Sequence, residues 1–519
     1  MLAARHRSTG AVLELAMHHP LNRRNFLRAA AAAAMAARLP AQMSLETRLA
    51  RDPLRPQFHL LPAKNWMNDP NGPIYFRGQY HMFFQYNPLA ATWGDMSWNH
   101  AVSDDMLHWS HLPVALTPTP GGPDSFGCFS GSAFRRGQRV YQVYTGTRKS
   151  DDAHATIRDG ANDIQESQCL AYSDDPRLVH WTKRPEPVIA APPPGMAITG
   201  FRDPSLFELN GGVYMTVGSG EAKVGGCVLL YRATLDDLTE WEYLHKLTSG
   251  AWNGHPTANP CDDGEMWECP DFFPLGRAHV LIYSTLDKVF WQTGVFDPVA
   301  LKFTPQQSGE LDLGGAFYAP KTQLDAHGRR VLWGWVREHR SDAAMTAAGW
   351  SGMMSLPRVL TLGPDGGLRV SSLPETESLR GARLPATAGV CTLPAANGEV
   401  LLTGKSGKDF ALSFGENGSL AKVEYVAAIH ALRVDSKEVA LVKGEPPTVH
   451  GYVDGSVVEL LLGGRCGFTK RFYYDDPAPG IAVRAVGDGV KVEAWAVTPI
   501  SDDRLTTAPK RDFDKHGGA

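Results

Sequence analysis

The sequence predicts an all-β protein, and three observations carry that reading. Between Leu54 and Gly363 the chain is a succession of short strands separated by Gly, Pro, Asn and Asp turns, with no sustained helical periodicity. Five segments there share one template: Asn68–Tyr86, Cys128–Tyr144, Arg202–Gly218, Glu268–Tyr283 and Tyr318–Trp335. Each runs from a short motif through apolar residues and a Gly-containing turn to a strand rich in Tyr, Phe, Val, Leu or Trp. A second signature, roughly 30 to 45 residues after a unit start, recurs as Ala101–Trp109, Ala171–Trp181 and Arg232–Trp241. It has the form of a third strand, an Asp-rich turn and a fourth strand opening on Trp. Four strands per unit and five units describe a five-bladed β-propeller. Two packed sheets without radial symmetry are the alternative.

The elements follow in chain order. Residues 1–43 stand apart from the fold: Asn22-Arg23-Arg24-Asn25-Phe26-Leu27-Arg28 precedes the Ala-rich run Ala29–Ala37 and then Leu39-Pro40-Ala41-Gln42. A paired arginine before a short, weakly hydrophobic run resembles a twin-arginine export signal, and implies a periplasmic or secreted protein. The run is too short to span a bilayer, which takes about 20 residues. The propeller is expected over 54–363. Inside it, Thr147–Gln168 is polar and lacks alternation, which predicts a long surface loop in blade two; Trp252–Met266 is a second loop over the same end. After Gly363-Pro364-Asp365-Gly366-Gly367 the character changes. Alternating runs such as Glu399–Thr403, Phe410–Phe414, Ser456–Leu462 and Val490–Trp495 predict an antiparallel β-sandwich over 368–500. The charged, Gly-ended stretch 501–519 is expected to be a tail.

Composition narrows the function. A chain of 519 residues with 43% hydrophobic and 20% charged residues is that of a multidomain globular protein. A net charge of -4 gives no electrostatic case for nucleic acid or an anionic membrane as partner. Seven cysteines, without a CxxC pair and odd in number, argue for neither a zinc site nor a disulfide framework; Cys261 and Cys269 could pair in an oxidising compartment. The 13 Trp suit sugar-binding walls, since an indole face packs on sugar C–H groups while its N–H donates a hydrogen bond. Core packing explains any single one of them equally well.

Three of the five unit starts carry an acid: Asn68-Asp69-Pro70, Arg202-Asp203-Pro204 and Glu268-Cys269-Pro270. The first strand of a propeller blade lines the central channel, so Asp69, Asp203 and Glu268 at near-equivalent places would surround one funnel. Three crowded carboxylates cannot all ionise cheaply, and at least one pKa must rise. Separating a low-pKa nucleophile from a high-pKa acid is the division of labour in glycoside hydrolysis. A calcium site or purely structural Asp-Pro turns remain open, although Asn68, Arg202, Phe129, Trp66 and Trp93 are an amide, a cation and aromatics rather than metal ligands.

Trp66-Met67-Asn68-Asp69-Pro70-Asn71-Gly72, Phe201-Arg202-Asp203-Pro204 and Trp267-Glu268-Cys269-Pro270 resemble the three defining motifs of glycoside hydrolase family 32, the invertases, inulinases, levanases and fructan exohydrolases. The likeness extends through Phe84-Gln85-Tyr86-Asn87-Pro88, Trp93–Trp98, Phe129-Ser130-Gly131-Ser132, Phe317-Tyr318-Ala319 and Trp350-Ser351-Gly352, and covers Phe58 to Leu362. The resemblance implies retaining hydrolysis of a β-fructofuranoside without a cofactor. Asp69 would be the nucleophile, Glu268 the acid/base, and Asp203 the residue that holds fructose hydroxyls. Asn68, Gln85, Trp93, Phe129, Ser130, Arg202, Tyr318 and Trp335 would bind the sugar. A fructosyltransferase uses the same site with a sugar in place of water, and a non-catalytic sugar-binding propeller is the third alternative.

Overall fold

The computed structural model describes residues 43–150, 154–157, 163–475 and 477–505. Met1–Arg48 is a unit of its own, of which residues 43–48 are described and enter a short helix, Leu45–Arg51. The expected export signal therefore lies outside the described residues, as does most of the expected tail, 506–519. Among the described residues no helix is long and apolar enough to cross a membrane.

The second unit, Leu49–Ala519, begins with five sheets in sequence order. Blade one is β1 (Asn65–Phe76), β2 (Gln79–Asn87), β3 (Ser97–Ser103) and β4 (Trp109–Leu116). Blade two is β5 (Gly127–Arg136), β6 (Arg139–Lys149), β7 (Ile164–Ser173) and β8 (Thr182–Lys183). Blade three is β9 (Ile198–Leu209), β10 (Gly212–Glu221), β11 (Gly225–Ala233) and β12 (Trp241–Ser249). Blade four is β13 (Glu268–Leu275), β14 (Ala278–Thr285), β15 (Lys288–Asp297) and β16 (Lys302–Glu310). Blade five is β17 (Phe317–Leu324) and β18 (Arg330–Val336), followed after two short strands, β19 (Trp350–Ser351) and β20 (Met353–Met354), by β21 (Arg358–Leu362) and β22 (Leu368–Ser372). The inner strands β1, β5, β9, β13 and β17 touch in a closed ring, β17 against β1. Parallel pairing of β19 with β1, Asn65 opposite Trp350, ties the last blade to the first.

The alternating residues of each second strand explain why the ring holds together. In β2, Tyr80, Met82, Phe84 and Tyr86 pack with Val331 and Trp333 of blade five, while Phe83 packs with Val140 and Tyr144 of blade two. In β14, Val280 and Ile282 join Leu332 of blade five, while Leu281 and Tyr283 join Val228 and Leu230 of blade three. Blades two and three share a core of Tyr141, Val143, Met215 and Val217. Period-two side chains thus bury both faces of every blade, at about 1.5–3 kcal/mol for each fully buried large apolar side chain.

Two expectations are corrected. Leu368–Ser372 pairs with β21 as the outer strand of blade five, so the propeller runs to residue 372 and not 363; the glycine-rich stretch is a hairpin turn, not a linker. Thr147–Lys149 and Ile164–Gln168 belong to strands β6 and β7, which pair from Val140 opposite Ser173 to Lys149 opposite Ile164; their polar residues hid the pairing. Beyond blade five, two six-stranded antiparallel sheets spanning Arg380 to Val497 pack around Val400, Leu412, Phe414, Val423, Leu460 and Phe468. His59, buried, bridges this sandwich to the propeller: Nδ1 meets Asp454 at 2.7 Å and Nε2 meets Glu459 at 2.9 Å. Arg358 closes the network on Glu459 and, at 2.8 Å, on Asp312.

Candidate active site

Each inner strand carries the same irregularity. Pairing with the second strand jumps from Met67 to Pro70, Phe129 to Gly131, Arg202 to Ser205, Glu268 to Asp271 and Tyr318 to Lys321, each time spending one residue more than the partner strand. These are β-bulges, which break the strict alternation of side chains and re-aim them. Consecutive residues therefore enter the funnel together: Asn68 with Asp69, Phe129 with Ser130, Arg202 with Asp203, Glu268 with Cys269. Proline follows in four of the five motifs, where a missing N–H is tolerated at a bulge. Blade two has Gly131 instead, because a Cβ there would lie 2.0 Å from the Val143 carbonyl oxygen. Asp203, Cys269 and Ala319 take φ of 65°, 50° and 48°, a backbone strain characteristic of functional sites.

This frame corrects the expected equivalence of the three acids. Asp69 and Asp203 hold the second position of their motifs, with Ser130, Cys269 and Ala319; Glu268 holds the first, with Asn68, Phe129, Arg202 and Tyr318. The offset sends Glu268 toward the side where Arg202 and Tyr318 stand. All eleven expected site residues line one cavity of about 250 Å³, joined by Ile157 and Cys269. Gln85 arrives from β2, its amide nitrogen donating to the Cys128 carbonyl at 3.2 Å, and Trp335 from β18 packs edge-on against Trp66. Trp93, 53% exposed, stands at the rim with its ring edge-on to Phe129 at 6.0 Å.

Asp69 accepts from Ser130 Oγ at 2.5 Å and from the Asn68 amide at 3.1 Å, while Asn68 is fixed by the Trp66 indole N–H at 2.7 Å. Asp203 accepts the Cys269 backbone N–H at 2.9 Å, and its own N–H donates to Thr145 Oγ1 at 2.8 Å. The Cys269 thiol lies 3.6 Å from Asp69 Oδ2 and 3.5 Å from Asp203 Oδ2. Glu268 takes two donors from Arg202 on Oε1, Nε at 3.1 Å and Nη2 at 2.8 Å, and the Tyr318 hydroxyl on Oε2 at 2.7 Å. All seven cysteines are free and buried; Cys261, considered as a partner for Cys269, instead takes Arg202 Nη2 on its sulfur at 3.2 Å.

The electrostatics of the site run against the expected order. Burial pushes the Asp69 carboxyl up, against the donors Ser130 and Asn68. Burial also pushes Asp203 up, to about 7, reinforced by the charges of Glu268 and Asp69 and opposed by Arg202. For Glu268 burial acts in the same sense, but the Arg202 charge and the Tyr318 and Arg202 hydrogen bonds outweigh it and leave its pKa below the ordinary value. One carboxyl is strongly raised, as crowding required, but it is Asp203, and Glu268 is the depressed one. Arg202 stands among the acids as a fixed cation, where a calcium ion would need open ligands.

Sequence reading missed two features. Cys269 lies within the Glu268-Cys269-Pro270 motif, but nothing in the sequence gives it a role; the bulge turns it inward. Glu166, buried on β7 and bonded to Arg202 Nη1 at 3.0 Å, sat in the stretch assigned to a loop and carried no signal.

A funnel at one end of a five-bladed propeller, walled by aromatics and holding three carboxylates and an arginine, defines a carbohydrate-cleaving enzyme of the glycoside hydrolase type. The chain belongs to glycosyl hydrolases family 32: the model of that family's N-terminal domain matches residues 59–372, which ends on the last strand of blade five. It is 38% identical to the raffinose invertase of Escherichia coli over 66% of this chain and 69% of that protein. To the acid β-fructofuranosidase of Phaseolus vulgaris it is 36% identical over 63% of this chain and 51% of the relative; the match thus spans between half and about two thirds of these relatives. A solved β-fructofuranosidase of Bombyx mori superposes with TM-score 0.72 at 28% identity, covering 88% of this chain and 98% of that one. Fructan 1-exohydrolase IIa of Cichorium intybus gives 0.70 at 27% identity, covering 86% and 98%.

Proposed function

We propose that this protein is a retaining hydrolase that releases fructose from β-fructofuranosides, sucrose or inulin- and levan-type fructans, by double displacement. The observation that supports it most is the pair of bulges, in blades one and four on either side of blade five, that aim Asp69 and Glu268 into one small cavity with different partners. Asp69, gripped by Ser130 and Asn68, is the nucleophile toward the anomeric carbon of fructose. Glu268 protonates the departing glycosidic oxygen and then takes a proton from water. Asp203 binds fructose hydroxyls and shields the oxocarbenium-like transition state. Because the three acids are coupled, their titration belongs to the cluster, and the active microstate is the one with its proton on Glu268 and Asp69 ionised. Sugar hydroxyls that draw Arg202 and Tyr318 away from Glu268 raise its proton affinity on binding.

Asn68, Gln85, Phe129, Ser130 and Trp335 form the fructose wall in this reading, and the exposed Trp93 meets the leaving group. Among the described residues the sandwich contributes none to the cavity lining, and it acts as a support. The paired Arg23-Arg24 motif supports export by a twin-arginine-type signal, to the periplasm or beyond. The test is incubation with sucrose, inulin and levan, with products resolved by chromatography, for wild type, Asp69→Ala and Glu268→Gln. Wild type is expected to release free fructose and both variants to lose several orders of magnitude in turnover while remaining folded. Fructosylated sugars as the main product at high sucrose would move the assignment to a transferase. Unchanged release by either variant would refute the roles.

A further inference from the structure

Arg202 divides its guanidinium between two carboxylates. Nε and Nη2 serve Glu268, at 3.1 and 2.8 Å, and Nη1 serves Oε1 of Glu166 at 3.0 Å. Glu166 is fully buried and outside the cavity lining, so it cannot meet the substrate. It is held on every side: its second oxygen accepts the Phe201 backbone N–H at 2.7 Å, and its own N–H donates to Thr156 Oγ1 at 3.0 Å. Phe201 immediately precedes Arg202, so one carboxylate fixes both the strand and the guanidinium that grows from it.

We propose that Glu166 is a positioning residue for Glu268, acting through Arg202. The inference rests on Glu268 being the acid/base. In that role Glu268 must alternate between neutral and ionised forms, and a guanidinium with Glu268 as its only counter-ion would be left buried and unpaired in each neutral phase. An unpaired buried charge is costly, so such an arginine would lock Glu268 in the ionised form. Glu166 removes the lock. With Glu268 protonated, Arg202 still has a buried carboxylate partner; with Glu268 ionised, it is shared. The short Nη1 contact also sets the rotation of the guanidinium, so that Nε and Nη2 face the site.

The charged and titratable groups around the pair are few. Glu268 faces Arg202 on β9, Cys261 and Asp262 on the loop before β13, Tyr318 on β17 and Asp69 on β1. Asp203 feels the charge of Glu268 from β9, as does Cys269 from β13. Among the described residues the ion-pair partner of Glu166 is Arg202. Removing the Glu166 charge acts on Glu268 in one direction by both routes: a like charge disappears, and Arg202 is released to it. Both favour ionised Glu268.

The test is the pH profile of kcat/KM for fructose release from sucrose by the full-length Glu166→Gln variant, with folding checked by circular dichroism. The amide keeps the shape and an acceptor for Phe201 N–H. On the basic side kcat/KM falls with the fraction of Glu268 still protonated, so that limb is expected to lie lower by a roughly tenfold loss of absolute rate, equivalent to about one pH unit. The acidic limb should stay in place. A merely structural role lowers rates or melting temperature without moving one limb. Should Glu166→Gln not fold, Glu166→Asp keeps the charge but withdraws it from Nη1, and a smaller downward shift is expected. A limb coincident with wild type, or displaced upward, in the folded variant overturns the proposal. Glu268→Gln, run in parallel, separates the two claims. If it is inactive while Glu166→Gln has the wild-type profile, only the positioning role fails; if it is active, the acid/base reading fails first.

Discussion

Replacing Tyr318 by Phe removes one hydroxyl from the site and leaves the ring, which packs under the Arg337 guanidinium at 5.0 Å. The lost contact is the 2.7 Å bond to Glu268 Oε2. A hydrogen bond to a charged acceptor contributes about 1.5–3 kcal/mol, and the neutral carboxyl retains one of about 0.5–1.5. The differential loss is therefore about 1–1.5 kcal/mol, or about one pKa unit at 1.36 kcal/mol per unit. Water replaces the hydroxyl poorly, because the Glu268 side chain is only 22% exposed. The bond favours the ionised form, so its loss raises the Glu268 pKa, and the basic limb of kcat/KM should move up by about one unit. The assay is initial-rate fructose release from sucrose between pH 4 and 9, at substrate well below KM. This shift is opposite in sign to that expected of Glu166→Gln, which makes the pair a strong check. An unmoved or lowered limb in folded Tyr318→Phe would refute the claim that this hydroxyl holds Glu268 ionised.

Ser130→Ala removes the 2.5 Å donor to Asp69, so the Asp69 pKa rises further and the acidic limb should move up, read in the same assay. Asp203 has a folded pKa of about 7 against an ordinary 3.8, so its contribution to stability is complete below pH 3.8 and is lost as pH rises through 7. Asp203→Asn should accordingly raise the melting temperature at pH 8, by on the order of 2–4 kcal/mol of stability, with little effect at pH 4; an equal effect at both would count against a raised pKa. Burial alone would lower the His59 pKa, but its bonds to Asp454 and Glu459 raise it to about 9. Its contribution is then complete below pH 6.5 and lost as pH climbs through 9. His59→Leu should cost about 3–5 kcal/mol by leaving the two carboxylates unpaired, seen in denaturant unfolding at pH 7; a cost below 1 kcal/mol would show the bridge to be dispensable.

Much of the fold was legible because it rests on local rules. Period-two apolar residues, Gly-marked hairpins and the Asp-turn-Trp signature define strands and their order, and five copies of one unit close on themselves. The domain edge was not legible: Gly363–Gly367 looks the same whether it joins domains or turns a hairpin, and only the pairing of Leu368 with Leu362 decides. The pairing of Thr147–Lys149 with Ile164–Glu166 escaped for a similar reason, since polar residues pair as strands when a partner lies alongside.

By itself the sequence marked Asp69, Asp203, Glu268 and their eight companions at repeated motifs, and these eleven line one cavity, but it did not mark Ile157, Cys269 or Glu166. It could not determine their electrostatic order. A pKa depends on what lies within a few ångströms in space, and here those neighbours come from other blades: Arg202 and Tyr318 for Glu268, Ser130 for Asp69. The one-residue offset of Glu268 is written in the motifs, but the partners it meets there, and the buried Glu166 behind Arg202, exist only once five strands converge on one axis. The motifs name the chemistry; the crossing of the strands decides which acid holds the proton.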